Sequence, residues 1–310
     1  MSLVAAIDCG TNSVRLLVAR AGAPPPAWVE RDAVVTRLGA GVDASGRLSD
    51  RAIERTVDAV AAYADRAVRA GADQIRIVAT SAARDAANTE QLVAAVRARS
   101  GIALEILTGD AEAALAFAGA VAGVDPPRPA LVVDVGGGST EFVLGADAPT
   151  AFTSRQIGCV RLTEQSLPGD PPDAAGVARA RTTIDRELDG VRADVDVAAA
   201  RSLVGVAGTA TTLAALHLGL PAYDAEAIHG TAMSAGDVAE LVERLRRLPA
   251  QRIRQLGAVA PGREDVLLAG ALLLERALSA FGFASMTVSE CDLLDGACLA
   301  LAARGPRSSG

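Results

Sequence analysis

Asp134-Val135-Gly136-Gly137-Gly138-Ser139-Thr140-Glu141 is the most informative stretch of the chain. The apolar run Pro129–Val133 delivers a carboxylate straight into three glycines, two hydroxyls and a second carboxylate. Glycine lets backbone amides approach a phosphate closely, and the hydroxyls add donors that a bare loop lacks. Two carboxylates flanking such a loop can hold Mg²⁺, or one of them can act as a base on water. The stretch points to phosphoanhydride chemistry.

Outward from this loop the pattern is strand, polar glycine turn, strand, with Ala130–Val133 before the turn and Phe142–Leu144 after it. The chain opens the same way: Leu3–Ile7 and Val14–Val18 flank Asp8-Cys9-Gly10-Thr11-Asn12-Ser13. Helical apolar spacing over Asp50–Ala70 ends at Gly71, and Ile75–Ala79 reads as a short buried strand. A helix over Asn88–Arg99, a strand over Ala103–Leu107 and a helix over Asp110–Val121 complete the first half. The Pro-rich segment Val124–Pro129 is the domain linker.

The second half adds a strand near Ala151–Ile157, a helix over Asp173–Val191 and a strand over Ser202–Val206 that enters another glycine turn, Gly205–Thr209. Helices over Ser234–Arg247 and Gly262–Phe281, a strand over Ser285–Val288 and a final helix from Cys291 follow. The expectation is an α/β chain, a weak internal duplication with domains over 1–125 and 126–290. The last helix, about 291–304, is free to pack back on the first domain, and the tail 305–310 is expected to be disordered.

Composition excludes several chemistries. All 30 basic residues are arginine, so a Walker A loop, a Schiff-base lysine and a lysine base are impossible. Cationic help with phosphate must come from Arg, backbone amides or metal. Four cysteines without CxxC spacing and two histidines argue against a zinc or histidine-rich centre and for a reduced, cytoplasmic protein. No apolar run of about 18 residues is free of charge, so no membrane partner is expected. The start Met1–Asp8 reads as a first strand and not a signal peptide. A net charge of -7 speaks against nucleic acid as the main partner.

With both hairpins and the order of the rest, the chain resembles the exopolyphosphatase/guanosine pentaphosphate phosphohydrolase family of the actin-like ATPase superfamily. The likeness rests on Ala6–Leu16, Ala79–Asn88, Asp134–Phe142, Gly158–Glu164 and Gly205–Leu213, and extends from Ala6 to about Leu301. Ala79-Thr80-Ser81-Ala82-Ala83-Arg84 is the most specific of these, because the wider superfamily lacks it. The resemblance implies two actin-like (ribonuclease H-like) domains with an interdomain cleft. Lacking the appended helical HD-type domain of longer relatives, the chain is expected to be the short two-domain form.

The resemblance also implies roles. Glu141 would activate the attacking water, and Glu112, in Gly109-Asp110-Ala111-Glu112-Ala113, would be the second acidic catalytic residue. Asp134 would bind Mg²⁺ or Mn²⁺ together with Glu141, and Asp8 would assist through water. Phosphate contacts would come from Asn12 and Ser13, Arg84, Gly136, Gly137, Gly138, Ser139, Thr140, Gly208 and Thr209, with Arg84 projecting from a strand end. Two departures stand out: Ala111 replaces the first glutamate of the family's Gly-x-Glu-Glu-Ala, and Leu294 replaces the arginine of its Ser-x-x-Gly-Leu-Arg-Glu-Gly.

Plainer readings remain beside these. Asp8 can be an Asx residue of the turn, Glu112 an exposed first-turn helix acid, and Arg84 a cap or a partner of Asp85. His229 reads as a structural histidine and Cys159 as a small buried residue. The function implied is release of terminal orthophosphate from inorganic polyphosphate, or conversion of guanosine pentaphosphate to tetraphosphate, by a homodimer. An actin-like small-molecule kinase and a non-catalytic nucleotide or polyphosphate sensor are the alternatives.

Overall fold

A computed structural model describes residues 2–304 other than Pro24 and Pro26; the tail 305–310, expected to be disordered, lies outside the described residues. The chain divides into two compact units, one formed by Met1–Gly123 with Cys291–Gly310, the other by Val124–Glu290.

The first unit holds five strands: β1 Leu3–Cys9, β2 Ser13–Arg20, β3 Trp28–Val35, β4 Ala72–Ala79 and β5 Leu104–Ile106. They lie in the order β3-β2-β1-β4-β5, with β2 antiparallel to both neighbours and β1, β4 and β5 mutually parallel. This is the ribonuclease H-like arrangement. Central β1 is apolar at every position before Asp8 because both its faces are covered. Ala5 and Ile7 pack with Ile53, Val57 and Val60 of the helix Asp50–Arg69, while Val4 and Ala6 pack with Leu294, Ala297 and Leu301.

The second unit repeats the plan with β6 Ala130–Val135, β7 Thr140–Gly145, β8 Pro149–Arg155, β9 Ser202–Val206, β10 Ala232–Ser234 and β11 Ser285–Val288. Their order, β10-β11-β9-β6-β7-β8, contains the same five-strand motif with one antiparallel strand added at the edge. Its core joins Leu131, Val133 and Phe142 to Ile184 and Leu188 of the helix Ala174–Asp194 and to Leu272 and Leu274 of the helix Leu267–Phe281.

Several boundaries differ from the sequence expectation, each for a local reason. Strand β3 was not foreseen; it is a sheet edge carrying Glu30, Arg31 and Asp32 and shows no clean alternation of buried and exposed residues. The helix expected from Gly262 begins at Leu267, because Gly262 sits at φ 84, outside helical space. The C-terminal helix runs Leu293–Ala303; Asp292 is its N-cap, forming a capping box with Asp295. Gly205–Thr209 is not a turn. Gly205 and Val206 end β9, and Gly208 and Thr209 lie in the first turn of the helix Ala207–His217.

Within the first unit the C-terminal helix lies hard against the helix Gly109–Val124. A methyl group on Gly296 would stand 1.9 Å from the Leu115 carbonyl oxygen, and one on Gly119 would stand 1.9 Å from that of Asp292. Two glycines facing each other's backbones set this contact. Leu294, where the resemblance expected arginine, is buried between Val4, Ala6 and Leu17, so no cationic contact arises at that position.

Candidate active site

The two hairpin turns are built alike. Gly10 donates its amide to the Ser13 carbonyl at 3.0 Å, and Gly136 donates to the Ser139 carbonyl at 3.1 Å. In each unit the strand before the turn carries an aspartate two residues before that glycine, Asp8 on β1 and Asp134 on β6.

The direction of the loop amides follows from where the carbonyls go. In a trans peptide the C=O and the N–H point to opposite sides. In the second unit, the Gly136 carbonyl accepts from Cys159 N at 2.9 Å and the Gly137 carbonyl from Val160 N at 2.9 Å. The Gly138 carbonyl accepts from the Arg161 guanidinium at 2.6 Å. All three donors belong to the helix Cys159–Ser166. The amides of Gly137, Gly138 and Ser139 are therefore directed away from that helix, three successive donors on one side of the loop. In the first unit, the Thr11 carbonyl accepts from Gly39 N at 2.9 Å and the Asn12 carbonyl from Arg37 N at 2.8 Å. By the same geometry the Asn12 and Ser13 amides turn the other way. Such rows of unspent amides are anion-binding concavities.

Glu141, the second residue of β7, lies directly opposite Asp134, in register across β6 and β7. It is buried, and the Ser154 hydroxyl donates to its Oε1 at 2.7 Å. That bond fixes one carboxylate oxygen. Thr140, expected to donate to phosphate, instead gives its hydroxyl to the Ile157 carbonyl and is fully buried. Because Thr140 is enclosed on every side, the strand needs its hydroxyl satisfied internally.

In the first unit, Asp8 is a strand residue and not a turn residue. Its Oδ2 accepts from Arg15 Nη2 at 2.7 Å and from Arg15 Nε at 3.1 Å, while its Oδ1 is buried without a hydrogen-bond partner. Burial raises the Asp8 pKa, and Arg15 opposes that rise. Arg15 also binds Asp292, and Arg31 reaches Asp292 at 3.2 Å and Asp295 at 2.8 Å. Burial pushes the Asp292 carboxyl up, but Arg15 and Arg31 together leave it below its ordinary value.

Arg84 does not project from a strand end. It lies in the last turn of the short helix Ser81–Asp85, and its Nη1 donates to Glu112 Oε2 at 2.9 Å and to the Leu107 carbonyl at 3.0 Å. Glu112, in the first turn of its helix, is buried, so the exposed-acid reading fails. Burial raises the Glu112 pKa, Arg84 pulls it back and Asp8 adds to the rise.

The β9–helix junction leaves the second sheet beside the glycine loop, since β6 and β9 are parallel and Asp134 is in register with Val206. Ala207 has a φ of 62, a left-handed residue just before Gly208. A methyl group on Gly208 would meet Arg263 Nη1 at 1.7 Å, so the guanidinium lies against the backbone there. Thr209 presses its side chain on Gly270. His229 Nδ1 accepts from Glu290 N at 3.1 Å, a structural bond. Burial pushes the Cys159 thiol up to about 11, with Arg263 opposing, which leaves it unreactive.

Among the described residues no group of three His, Cys, Asp or Glu side chains forms a closed metal cage. The carboxylates present still suit a hydrated Mg²⁺, which keeps several waters and needs only one or two carboxylates. Asp134 beside Glu141, and the unpartnered Oδ1 of Asp8, are such donors.

Ser154, Arg161, Arg263, Arg15 and Asp292 were not foreseen as site residues. The neighbouring motif Gly158–Glu164 was the one signal pointing at Arg161. Arg15 falls inside the Ala6–Leu16 motif and Asp292 inside the segment Ser289–Gly296, but their ion pairing, like the places of Ser154 and Arg263, arises from contacts distant in sequence.

Known proteins carry the same plan. The chain is 43% identical to exopolyphosphatase 2 of Mycobacterium tuberculosis over 97% of its own length and 99% of the relative's. It superposes on the crystal structure of an exopolyphosphatase-like protein with a TM-score of 0.91 at 37% identity, covering 97% of this chain and 99% of that one. The Ppx/GppA family member of Aquifex aeolicus matches with a TM-score of 0.82 at 30% identity, covering 99% of both chains. The sequence model of the Ppx/GppA phosphatase family matches residues 17–304. Matched over nearly its whole length in both sequence and structure, the chain belongs to the Ppx/GppA phosphatase family.

Proposed function

We propose that the protein is a metal-dependent phosphoanhydride hydrolase that releases terminal orthophosphate from inorganic polyphosphate, with guanosine pentaphosphate as a nucleotide substrate of the same loops. The observation that carries this is the loop with three amides aimed to one side and the Ser154-held Glu141 at its end. The M. tuberculosis relative named as an exopolyphosphatase supports it.

In-line attack by water needs a base, charge neutralisation and donors on the equatorial oxygens of the phosphoryl group. Glu141 takes the water's proton, with its carboxylate held by the Ser154 hydroxyl. The Gly137, Gly138 and Ser139 amides receive the equatorial oxygens, and being preorganised they cost no rearrangement as charge develops. Glu112 holds the Arg84 guanidinium in one orientation for phosphate. Bound Mg²⁺ or Mn²⁺ would neutralise phosphate charge, with Asp134 and Glu141 as its carboxylates. Four buried free cysteines fit a cytoplasmic enzyme, and the family likeness suggests a homodimer. No helix among the described residues is long and apolar enough to cross a membrane.

The test is orthophosphate release from long-chain polyphosphate, guanosine pentaphosphate and ATP, each with and without Mg²⁺. Polyphosphate turnover that stops on chelation is expected, and Glu141→Ala should abolish it while leaving the circular dichroism unchanged. Nucleotide binding with no turnover of any substrate would sink the hydrolase reading and favour a sensor.

A further inference from the structure

The helix Cys159–Ser166 touches the glycine loop by more than its backbone. Its first-turn amides hold the Gly136 and Gly137 carbonyls, but no backbone donor of that helix reaches the third carbonyl, that of Gly138. Arg161 Nη1 takes that place at 2.6 Å, and the same guanidinium is bonded to the Gln156 side chain before the helix. The approach is close: a methyl group on Gly158 would lie 2.4 Å from the Gly137 carbonyl carbon, so helix and loop form one rigid piece. A planar guanidinium with several fixed donors suits this task better than a flexible ammonium.

We propose that Arg161 is a positioning residue for the phosphate cradle: by holding the Gly138 carbonyl it aims the Ser139 amide at the phosphoryl group. The proposal rests on the reading of Gly136–Ser139 as the phosphate loop. In it Arg161 acts through a peptide plane, whereas a direct phosphate contact would act through its charge. Loss of the clamp lets the Gly138–Ser139 peptide rotate, and one donor leaves the row. Since the donor serves the charge that develops in the transition state, the loss falls on kcat and not on KM.

The experiment compares wild type, Arg161→Ala and Arg161→Lys in polyphosphate turnover across a range of salt concentrations. Removing one oxyanion donor costs about 10²–10³ in kcat, and a donor only misaligned should cost about 10- to 100-fold. The expected result is that loss for Arg161→Ala with KM within about threefold of wild type, and partial recovery in Arg161→Lys. The slope of log KM against log salt should be the same in all three. A kcat within about threefold of wild type in Arg161→Ala overturns the proposal. So does a loss carried by KM with a shallower salt slope, which marks a direct charge contact.

Binding of orthovanadate, which mimics the five-coordinate phosphoryl transition state, gives a calorimetric readout free of turnover, and here Arg161→Ala should bind at least about tenfold more weakly, with Arg161→Lys between. If Arg161→Ala does not fold, the same kinetic and binding comparisons on Arg161→Lys decide. Wild type that binds vanadate yet hydrolyses nothing refutes the hydrolase reading, and the clamp then stands or falls on vanadate binding. Active wild type with unchanged Arg161 variants refutes the clamp alone.

Discussion

The first unit concentrates buried charge around a few residues. Asp8, Arg15, Asp292, Arg31 and Asp295 form a chain of ion pairs across β1, β2, β3 and the C-terminal helix, and Arg84–Glu112 lies near enough for Asp8 to bias Glu112. Glu112 is raised chiefly by burial, so the folded state holds its proton more tightly than the unfolded chain does. The stability it contributes is fully present below its ordinary value of 4.5 and is lost as pH rises through the folded value. Glu112→Gln removes this dependence. Urea unfolding at acid and neutral pH should show wild type losing ground to Glu112→Gln as pH rises. A constant gap between the two proteins would contradict the assigned burial effect. At this scale the sequence marked Glu112 and Arg84 as neighbours in function, yet not as an ion pair. They are 28 residues apart, and only the meeting of their two helices joins them.

Among elements, helix contacts decide more than helix propensities do. A final helix from Cys291, free to pack back on the first domain, was expected; the glycine contact that seats Leu293–Ala303 was not. Gly296 and Gly119 let two backbones approach where any side chain would collide. Gly296→Ala should cost about 1–3 kcal/mol, the usual range for overpacking against an unyielding neighbour. A chemical denaturation series would read it. Gly208→Ala makes a useful contrast, because the atom it meets is the end of the flexible Arg263 side chain. The hairpins were legible because strand, glycine and hydroxyl succeed one another within a few residues. The clamps behind them were not, since they come from Arg37 and Gly39 in one unit and from the Cys159–Ser166 helix in the other.

For the molecule as a whole, two units repeat one strand order, and each places an aspartate and a glycine turn at the end of its first strand. The duplication was visible in the sequence as two similar hairpins followed by αβ segments. The absence of lysine has a whole-molecule consequence. With all 30 basic residues arginine, an amine-acylating reagent can reach only the N-terminal amino group. It should leave phosphohydrolase activity intact, whereas an arginine-directed dicarbonyl should abolish it and polyphosphate should protect. Loss of activity on acylation, confined by mass spectrometry to the N-terminus, would contradict an arginine-and-amide cradle.

The class of chemistry and the plan were legible along the chain: two glycine turns flanked by carboxylates, a family-specific Arg84 segment, and strands apolar on both faces. These are local patterns, fixed by which residues follow which. How each donor is spent was set only by contacts between distant segments. Thr140 gives its hydroxyl to Ile157, 17 residues on, and Arg161 clamps Gly138, 23 residues back. A hydrogen bond is set by what lies within about 3 Å in space, and the order of residues along a chain does not state that distance.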